Sequence, residues 1–374
     1  MKISPQRLTE TFLELVKIDG VSRNEKAVKE YLCNDLKDYV LTIHEDTAYD
    51  NVDGNSGNLF MKVRGSEKSA PTIILSAHMD TINPTKGMEP IVTDTKIMSD
   101  GSTILGADNR LGVAIICEII KSLQDNNERF GNIEIVFSIC EEIGLLGIKN
   151  FDFNQLKGRN AYVLDAGNLS VGTIINQAPS AVRFTIEVKG RAAHAGIAPE
   201  KGLNAIVIAA KALARIRQGR LNDHCTLNIG SIHGGTATNI VPDNVSMRGE
   251  IRSYYQKEID TVWTEVQTVF RDEVVSAGGE VFFKTEQDYD TYLINEDRSI
   301  IQYAKQAFSG KLSVVPCFGG SDANIFNKNG IDAVVISVGN WEPHTNEEFV
   351  IIDEMISAAQ WVYDIILASR DTTV

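Results

Sequence analysis

The chain has 374 residues, more than one hydrophobic core usually spans, so two domains are the starting expectation. Hydrophobic residues make up 43% and charged residues 23%, as in soluble globular proteins, and 50 acidic against 36 basic side chains leave a net charge of −14. That surplus repels phosphate backbones and anionic lipid, no apolar run reaches the roughly 18 residues of a membrane span, and residues 1–10 lack the apolar core of a signal peptide. No nucleic acid and no membrane partner is therefore expected, and a cytoplasmic location is.

In chain order, Ser4-Pro5 reads as a helix start, a polar cap followed by proline at the first position, leading into residues 9–18. A second helix is expected over about 24–39. Two short apolar runs follow, 58–63 and 72–76, the second ending in His78-Met79-Asp80. An amphipathic helix over 111–123 leads to an apolar strand over 132–140 that ends in Glu141-Glu142, and a further strand over 161–164 ends in Asp165. Strands that alternate with helices and are apolar on both faces indicate an α/β fold, a mostly parallel sheet covered by helices, with ligands at the strand ends.

The pattern changes after Gln177. Val182, Phe184, Ile186 and Val188 alternate with Arg183, Thr185, Glu187 and Lys189, a strand with one wet face. An Ala-rich helix over 203–216, strands over 226–232 and 246–254, a long helix carrying Ile259, Val262, Trp263, Val266, Val269 and Phe270, and a strand over 280–285 complete a β-α-β-β-α-β order. That is a ferredoxin-like α+β unit. From about Tyr289 the earlier pattern returns, with a helix over 299–308, strands over 313–317 and 333–338, and a last helix over 352–367. The expected organisation is a catalytic domain in two parts, 1–178 and 289–374, interrupted by an inserted domain over 179–288. Cys33, Cys117, Cys140, Cys225 and Cys317 are scattered and mostly embedded in apolar stretches, so they read as small buried hydrophobes in a reducing compartment.

Several strand ends carry residues with chemistry. His78 and Asp80 lie two apart and share a face, which suits an imidazole metal ligand whose other nitrogen is fixed by a carboxylate; a buried structural pair is the plainer alternative. Asp108, in Gly106-Ala107-Asp108-Asn109-Arg110, precedes the helix expected from Leu111, where a cap is the plainer role. Adjacent glutamates in an extended segment point opposite ways, so one of Glu141 and Glu142 can bind metal while the other stays free as a general base. Asp165 ends a buried strand, and His344 follows the strand over 333–338 in Glu342-Pro343-His344-Thr345. Asp108, Glu142 and Asp165 bring three negative charges and His78 and His344 neutral nitrogens. Two zinc ions with one bridging hydroxide balance that set, whereas a single zinc leaves it negative.

His78-Met79-Asp80-Thr81, Gly106-Ala107-Asp108, Glu141-Glu142, Leu164-Asp165-Ala166-Gly167 and His344 resemble, in order, the motifs of the co-catalytic zinc exopeptidases that include peptidase T, carboxypeptidase G and aminoacylase. Gly190-Arg191-Ala192-Ala193-His194-Ala195-Gly196 resembles that family's lid-domain signature, and Gly234-Gly235-Thr236-Ala237-Thr238-Asn239 and Gly319-Gly320-Ser321-Asp322 also fit. The likeness spans nearly the whole chain and is nearest to the peptidase T branch, the tripeptide aminopeptidases. The resemblance implies two Zn2+ per chain, with Co2+ or Mn2+ as substitutes. His78, Asp108 and Asp165 would surround one ion and Asp108, Glu142 and His344 the other, with Asp108 bridging. It further implies Glu141 as general base acting with a metal-bound hydroxide, Asp80 behind His78, and His194, Asn239 and Arg252 as substrate-binding residues of the lid. An aspartate at the position of Asp165 goes with aminopeptidases and dipeptidases in this family.

The expected function is hydrolysis of the N-terminal residue from a short peptide substrate, with a homodimer through the lid domain as the expected assembly. An amidohydrolase that deacylates N-acyl amino acids on the same scaffold is the alternative, and a degenerate scaffold kept for binding is the rival outside enzymes. His44, His224 and His233 carry no assigned role.

Overall fold

A computed structural model describes residues 1–370, so the last four residues of the expected segment 289–374 lie outside the described residues. The described residues divide into two compact units: 1–177, 293–316 and 321–370 form one, and 178–292 with 317–320 form the other. The short return of Cys317–Gly320 to the second unit has no counterpart in the hydrophobic pattern.

In the first unit the sheet runs, in spatial order, Thr42–Glu45, Leu59–Val63, Ile133–Ser138, Ile73–His78, Asn160–Ala166, Asp332–Ser337 and Thr173–Ala178. The four strands from Ile133–Ser138 to Asp332–Ser337 are parallel. The strands that flank them join antiparallel, and Ser313–Pro316 adds parallel to Thr173–Ala178, so the sheet is mixed with a parallel centre. Ile73–His78 and Ile133–Ser138 are buried at every residue, which is why they read as continuous apolar runs. The helices Pro5–Val16, Ala107–Asp125 and Ile352–Arg370 cover the sheet; Ser4 caps the first, its hydroxyl accepting from the Arg7 N–H.

Because the central strands are parallel, His78, Ser138 and Asp165 lie toward one edge of the sheet, and the segments after Ser138 and Ser337 leave from that edge. A small antiparallel sheet of Asn340–Trp341, Phe349–Ile351, Lys96–Met98 and Ile91–Val92 then ties the loop bearing His344 to the segment that precedes Asp108. Sequence periodicity did not reveal this sheet, because its strands are only two or three residues long.

The second unit is a five-stranded antiparallel sheet in the order Gly219–Asn222, Cys225–Gly234, Asn244–Ser253, Ser180–Lys189, Glu280–Tyr289. Its helices are Ala205–Ala214 and Gln256–Ser276. Val182, Phe184, Ile186 and Val188 pack with Ile208, Ala209, Val266 and Phe270 in one buried cluster. Leaving aside the short Gly219–Asn222, the strand order is that of a ferredoxin-like unit. Truncating the fully buried Phe270 to alanine would cost this core about 3–5 kcal/mol. All five cysteines are free. Among the described residues no helix is long and apolar enough to cross a membrane.

Candidate active site

His78 is the last residue of its strand and is buried. Its Nε2 lies 3.1 Å from Oδ1 of Asp108 and 3.4 Å from Oδ1 of Asp165. On the other side of Asp108, Oδ2 lies 3.2 Å from Nε2 of His344, whose Nε2 is also 3.1 Å from Oε2 of Glu142. One carboxylate thus presents each of its oxygens to a different imidazole–carboxylate pair. His78, Asp108 and Glu142 each offer one ligand atom, and these three atoms lie within 4.8 Å of one another.

The backbone that aims these groups is irregular. Asp108 sits at a kink near the start of Ala107–Asp125: Asp108, with a ψ of 101°, and Asn109 are both non-helical, so Asp108 precedes the regular helix as expected, and Gly106 at φ 75° leads into the turn. The strand before the glutamate pair ends at Ser138, and Cys140 adopts a left-handed φ of 51°. Glu141 and Glu142 therefore leave a turn, not an extended strand, and the alternation argument for their separate roles does not describe their backbone. His344 also lies in the left-handed region, at φ 66°, on a half-exposed loop. Left-handed non-glycine residues persist where surroundings over-determine them, a recurrent property of functional loops.

Asp80 is fully buried and supports the cluster from behind. Its Oδ1 accepts the Glu141 N–H at 3.0 Å, while Oδ2 accepts the Glu142 N–H at 3.2 Å and the Ser22 hydroxyl at 2.6 Å. His78 Nδ1 bonds to the backbone carbonyl of Asp80 at 3.0 Å, with the carboxylate farther away at 3.4 Å. The carboxylate expected to orient His78 thus mainly anchors the turn carrying the two glutamates.

Three buried groups that the sequence did not single out complete the support. Glu348 accepts the N–H groups of Gly106 and Asp108 at 2.7 and 2.9 Å and so fixes the turn that presents Asp108. Arg110, fully buried, donates to the carbonyls of Met79 and Gly20. Glu25 accepts the N–H of Cys140 at 3.0 Å. In the sequence, Glu347-Glu348 looks like a solvated pair and Arg110 like a surface residue of a helix start. Asp322 belongs to a motif already noted but had no role; it is buried and accepts the Ser138 hydroxyl.

The electrostatics of this crowd are strongly perturbed. Burial pushes the His78 pKa down, but Asp165, Asp108 and Asp80 outweigh it and hold it well above the ordinary value. The Asp108 and Glu142 carboxylates raise His344 to about 10. Burial pushes Asp165 up to about 7, and burial with the charges of Asp165, Asp322 and Glu142 raises Glu141 as well. Asp108 moves down, because the two imidazoles outweigh its burial. Histidines driven toward the cation beside carboxyls driven toward the neutral acid mark a cluster that calls for added positive charge. Glu142 Oε1, buried and without a hydrogen-bond partner among the described residues, gives the same indication. The imidazole and carboxylate donors, the shared carboxylate of Asp108 and this unsatisfied oxygen fit a pair of divalent ions.

In the inserted unit, His194 and Asn239 are exposed and adjacent through the backbone, the Ala195 N–H donating to the Asn239 carbonyl at 2.9 Å. The ring of His194 is steadied by the Gly196 N–H, which donates to its Nδ1 at 3.2 Å. Arg252 is placed differently: on the strand Asn244–Ser253, its guanidinium donates to both oxygens of Glu250 and to the Phe318 carbonyl.

Known proteins share the fold and much of the sequence of this chain. Residues 177–277 match the family described as a peptidase dimerisation domain, and residues 88–179 match the M42 glutamyl aminopeptidases. The crystal structure of a tripeptidase from Staphylococcus aureus superposes with a TM-score of 0.94 at 34% identity, over 99% of this chain and all of that one. That of aminopeptidase PepT from Bacillus cereus does so with a TM-score of 0.91 at 33% identity and the same coverage. Peptidase T of Fusobacterium nucleatum is 25% identical over 340 residues, 86% of this chain and 79% of its own.

Proposed function

Since this chain belongs to the peptidase T-like members of the M20 peptidase family, we propose that it is an aminopeptidase that removes the N-terminal residue from short peptides, tripeptides foremost, using two divalent ions. The observation that carries the reading is Asp108, with its two oxygens turned to two different imidazole–carboxylate pairs. His78, Asp108 and Asp165 would hold one ion and Asp108, Glu142 and His344 the other, zinc being the ion proposed. When bound, such a pair supplies Lewis acidity toward water and the scissile carbonyl.

The chain's own groups would do the rest. Glu141, raised in pKa by burial and its acidic neighbours, would act as the general base: it takes a proton from the attacking water and returns it to the leaving amine as the C–N bond breaks. Asp80 holds the backbone of that turn, and Glu348 that of Asp108. The acidic cluster around Asp165 suits the substrate's free ammonium. From the inserted unit, His194 would donate to the developing oxyanion and Asn239 and Arg252 would bind the far carboxylate. Arg252 would exchange Glu250 for that carboxylate, a bidentate partner of the same kind.

The test is kcat/KM for one tripeptide in free, C-terminally amidated and N-acetylated forms, with wild type and Arg252→Ala. The free form should be preferred, and Arg252→Ala should slow it strongly while affecting the amide far less. Preference for the acetylated peptide would assign the chain to deacylation of N-acyl amino acids instead.

A further inference from the structure

At the edge of the catalytic-unit sheet opposite His78 and Asp165, the strands Ile73–His78, Asn160–Ala166 and Asp332–Ser337 begin side by side, Asn160 opposite both Ile73 and Asp332. A cleft of about 760 Å³ opens there, among Thr72, Asn160, Asp332 and the start of the helix Ser299–Ala307. Strands of six and seven residues, roughly 20 Å, separate it from His78 and Asp165, so it is a different site.

Its charge opposes that of the chain. Lys157, Arg159 and Arg298 line it, with Asp332 as the only acid. Arg298 is bound to Asp332, its Nε donating at 2.7 Å, so those two charges offset each other. The side chains of Lys157 and Arg159 have no ion-pair or hydrogen-bond partner among the described residues. A smaller pocket of about 250 Å³ shares Thr72 and Lys157; its lining adds Arg64 and Lys62, the latter 4.0 Å from Glu134, which also lines it.

Two further observations point to an anion. The helix Ser299–Ala307 opens on this cleft, and no side chain caps its N-terminus. Unpaired N–H groups and the positive end of a helix favour anions. One turn in, Tyr303 lines the same cleft, is only 4% exposed, and its hydroxyl has no hydrogen-bond partner among the described residues. The ring of Tyr303 is thus held in place by burial while its hydroxyl stays accessible from the cleft, a positioned donor open to a ligand.

We propose that this cleft binds a small phosphorylated molecule, its phosphoryl group held by Lys157, Arg159 and the start of the helix Ser299–Ala307 and accepting a hydrogen bond from Tyr303. A phosphoryl dianion offers three acceptor oxygens to two free cations, a match that a singly charged carboxylate lacks. The volume leaves room for an organic group of up to about nucleotide size.

The experiment titrates inorganic phosphate, AMP and acetate into the metal-loaded, full-length protein at constant ionic strength, read by calorimetry. The proteins compared are wild type, Lys157→Gln/Arg159→Gln and Tyr303→Phe, each first shown by circular dichroism to be folded. Wild type should bind phosphate and AMP saturably and acetate at least about tenfold more weakly; the double variant should lose about tenfold or more in phosphate affinity, and Tyr303→Phe severalfold. Phosphate bound at the metal centre would persist unchanged in the double variant. Equal phosphate affinity in wild type and both variants, absence of saturable binding, or equal affinity for acetate overturns the proposal.

Discussion

Replacing Asp80 by asparagine tests the support beneath the site with almost no change in shape. Each carboxylate oxygen accepts one backbone N–H, that of Glu141 on Oδ1 and that of Glu142 on Oδ2. Whichever way an amide is turned, its NH2 faces one of those N–H groups, so one charge-assisted bond worth about 1.5–3 kcal/mol is lost and a buried donor is left unpaired at about 1–3 kcal/mol more. The Ser22 hydroxyl can rotate and accept from the amide, so it adds little. The expected loss is therefore about 3–5 kcal/mol, a large part of a typical folding stability. Ser22→Ala, which removes one hydroxyl only, should cost about 1 kcal/mol. Burial raises the pKa of Asp80, but His78, Ser22 and the Glu141 N–H outweigh it and set the group below its ordinary 3.8. Its contribution is thus complete above about pH 4 and is lost as the pH falls through the lowered value. Urea unfolding at pH 7, with kcat/KM measured in parallel, decides the matter. An Asp80→Asn protein within 1 kcal/mol of wild type and fully active would refute the anchoring role.

Glu141→Gln should lower turnover by roughly 10²–10⁴-fold with metal content unchanged, whereas Glu142→Gln should lose metal; elemental analysis beside kinetics checks both, and the opposite pattern would reverse the two roles. Asp108→Ala should lose both ions, because its oxygens face both imidazoles, and a variant retaining one tightly bound ion would argue against a shared ligand. Glu348→Gln keeps the side chain's size but replaces one of its two N–H acceptors, so metal affinity should fall about 10–100-fold without loss of the fold, measured by competition with a chelator.

The parallel centre of the sheet was legible because Ile73–His78 and Ile133–Ser138 are buried on both faces and so carry no polar interruption. The inserted sheet was legible for the opposite reason, since from Val182 to Lys189 its strand alternates between a packed and a wetter face. What escaped is what has no period. The strands Ile91–Val92 and Asn340–Trp341 are two residues long, and Asp322–Lys328 is a helix of seven residues whose apolar side chains complete no stripe. Hydrophobic periodicity needs several repeats to rise above composition, and these elements are held in place by tertiary contacts.

For the site, the sequence exposed the residues that meet at its centre and concealed those that hold them there. His78, Asp108, Glu142 and His344 stand out because an imidazole or carboxylate after a buried strand, or before a helix, is conspicuous in its local context. Glu348, Glu25 and Arg110 are equally buried, yet each acts by bonding the backbone of a distant segment: Glu348 reaches Gly106 and Asp108, Glu25 reaches Cys140, and Arg110 reaches Gly20 and Met79. Contacts of that kind depend on where two loops meet and leave no local pattern. The same distinction explains why strand alternation is the wrong premise for separate roles of Glu141 and Glu142. The pair is not extended; the left-handed Cys140 starts a turn, and Asp80 fixes its two N–H groups through separate oxygens. The turn and its anchor, not the alternation of a strand, separate the two glutamates.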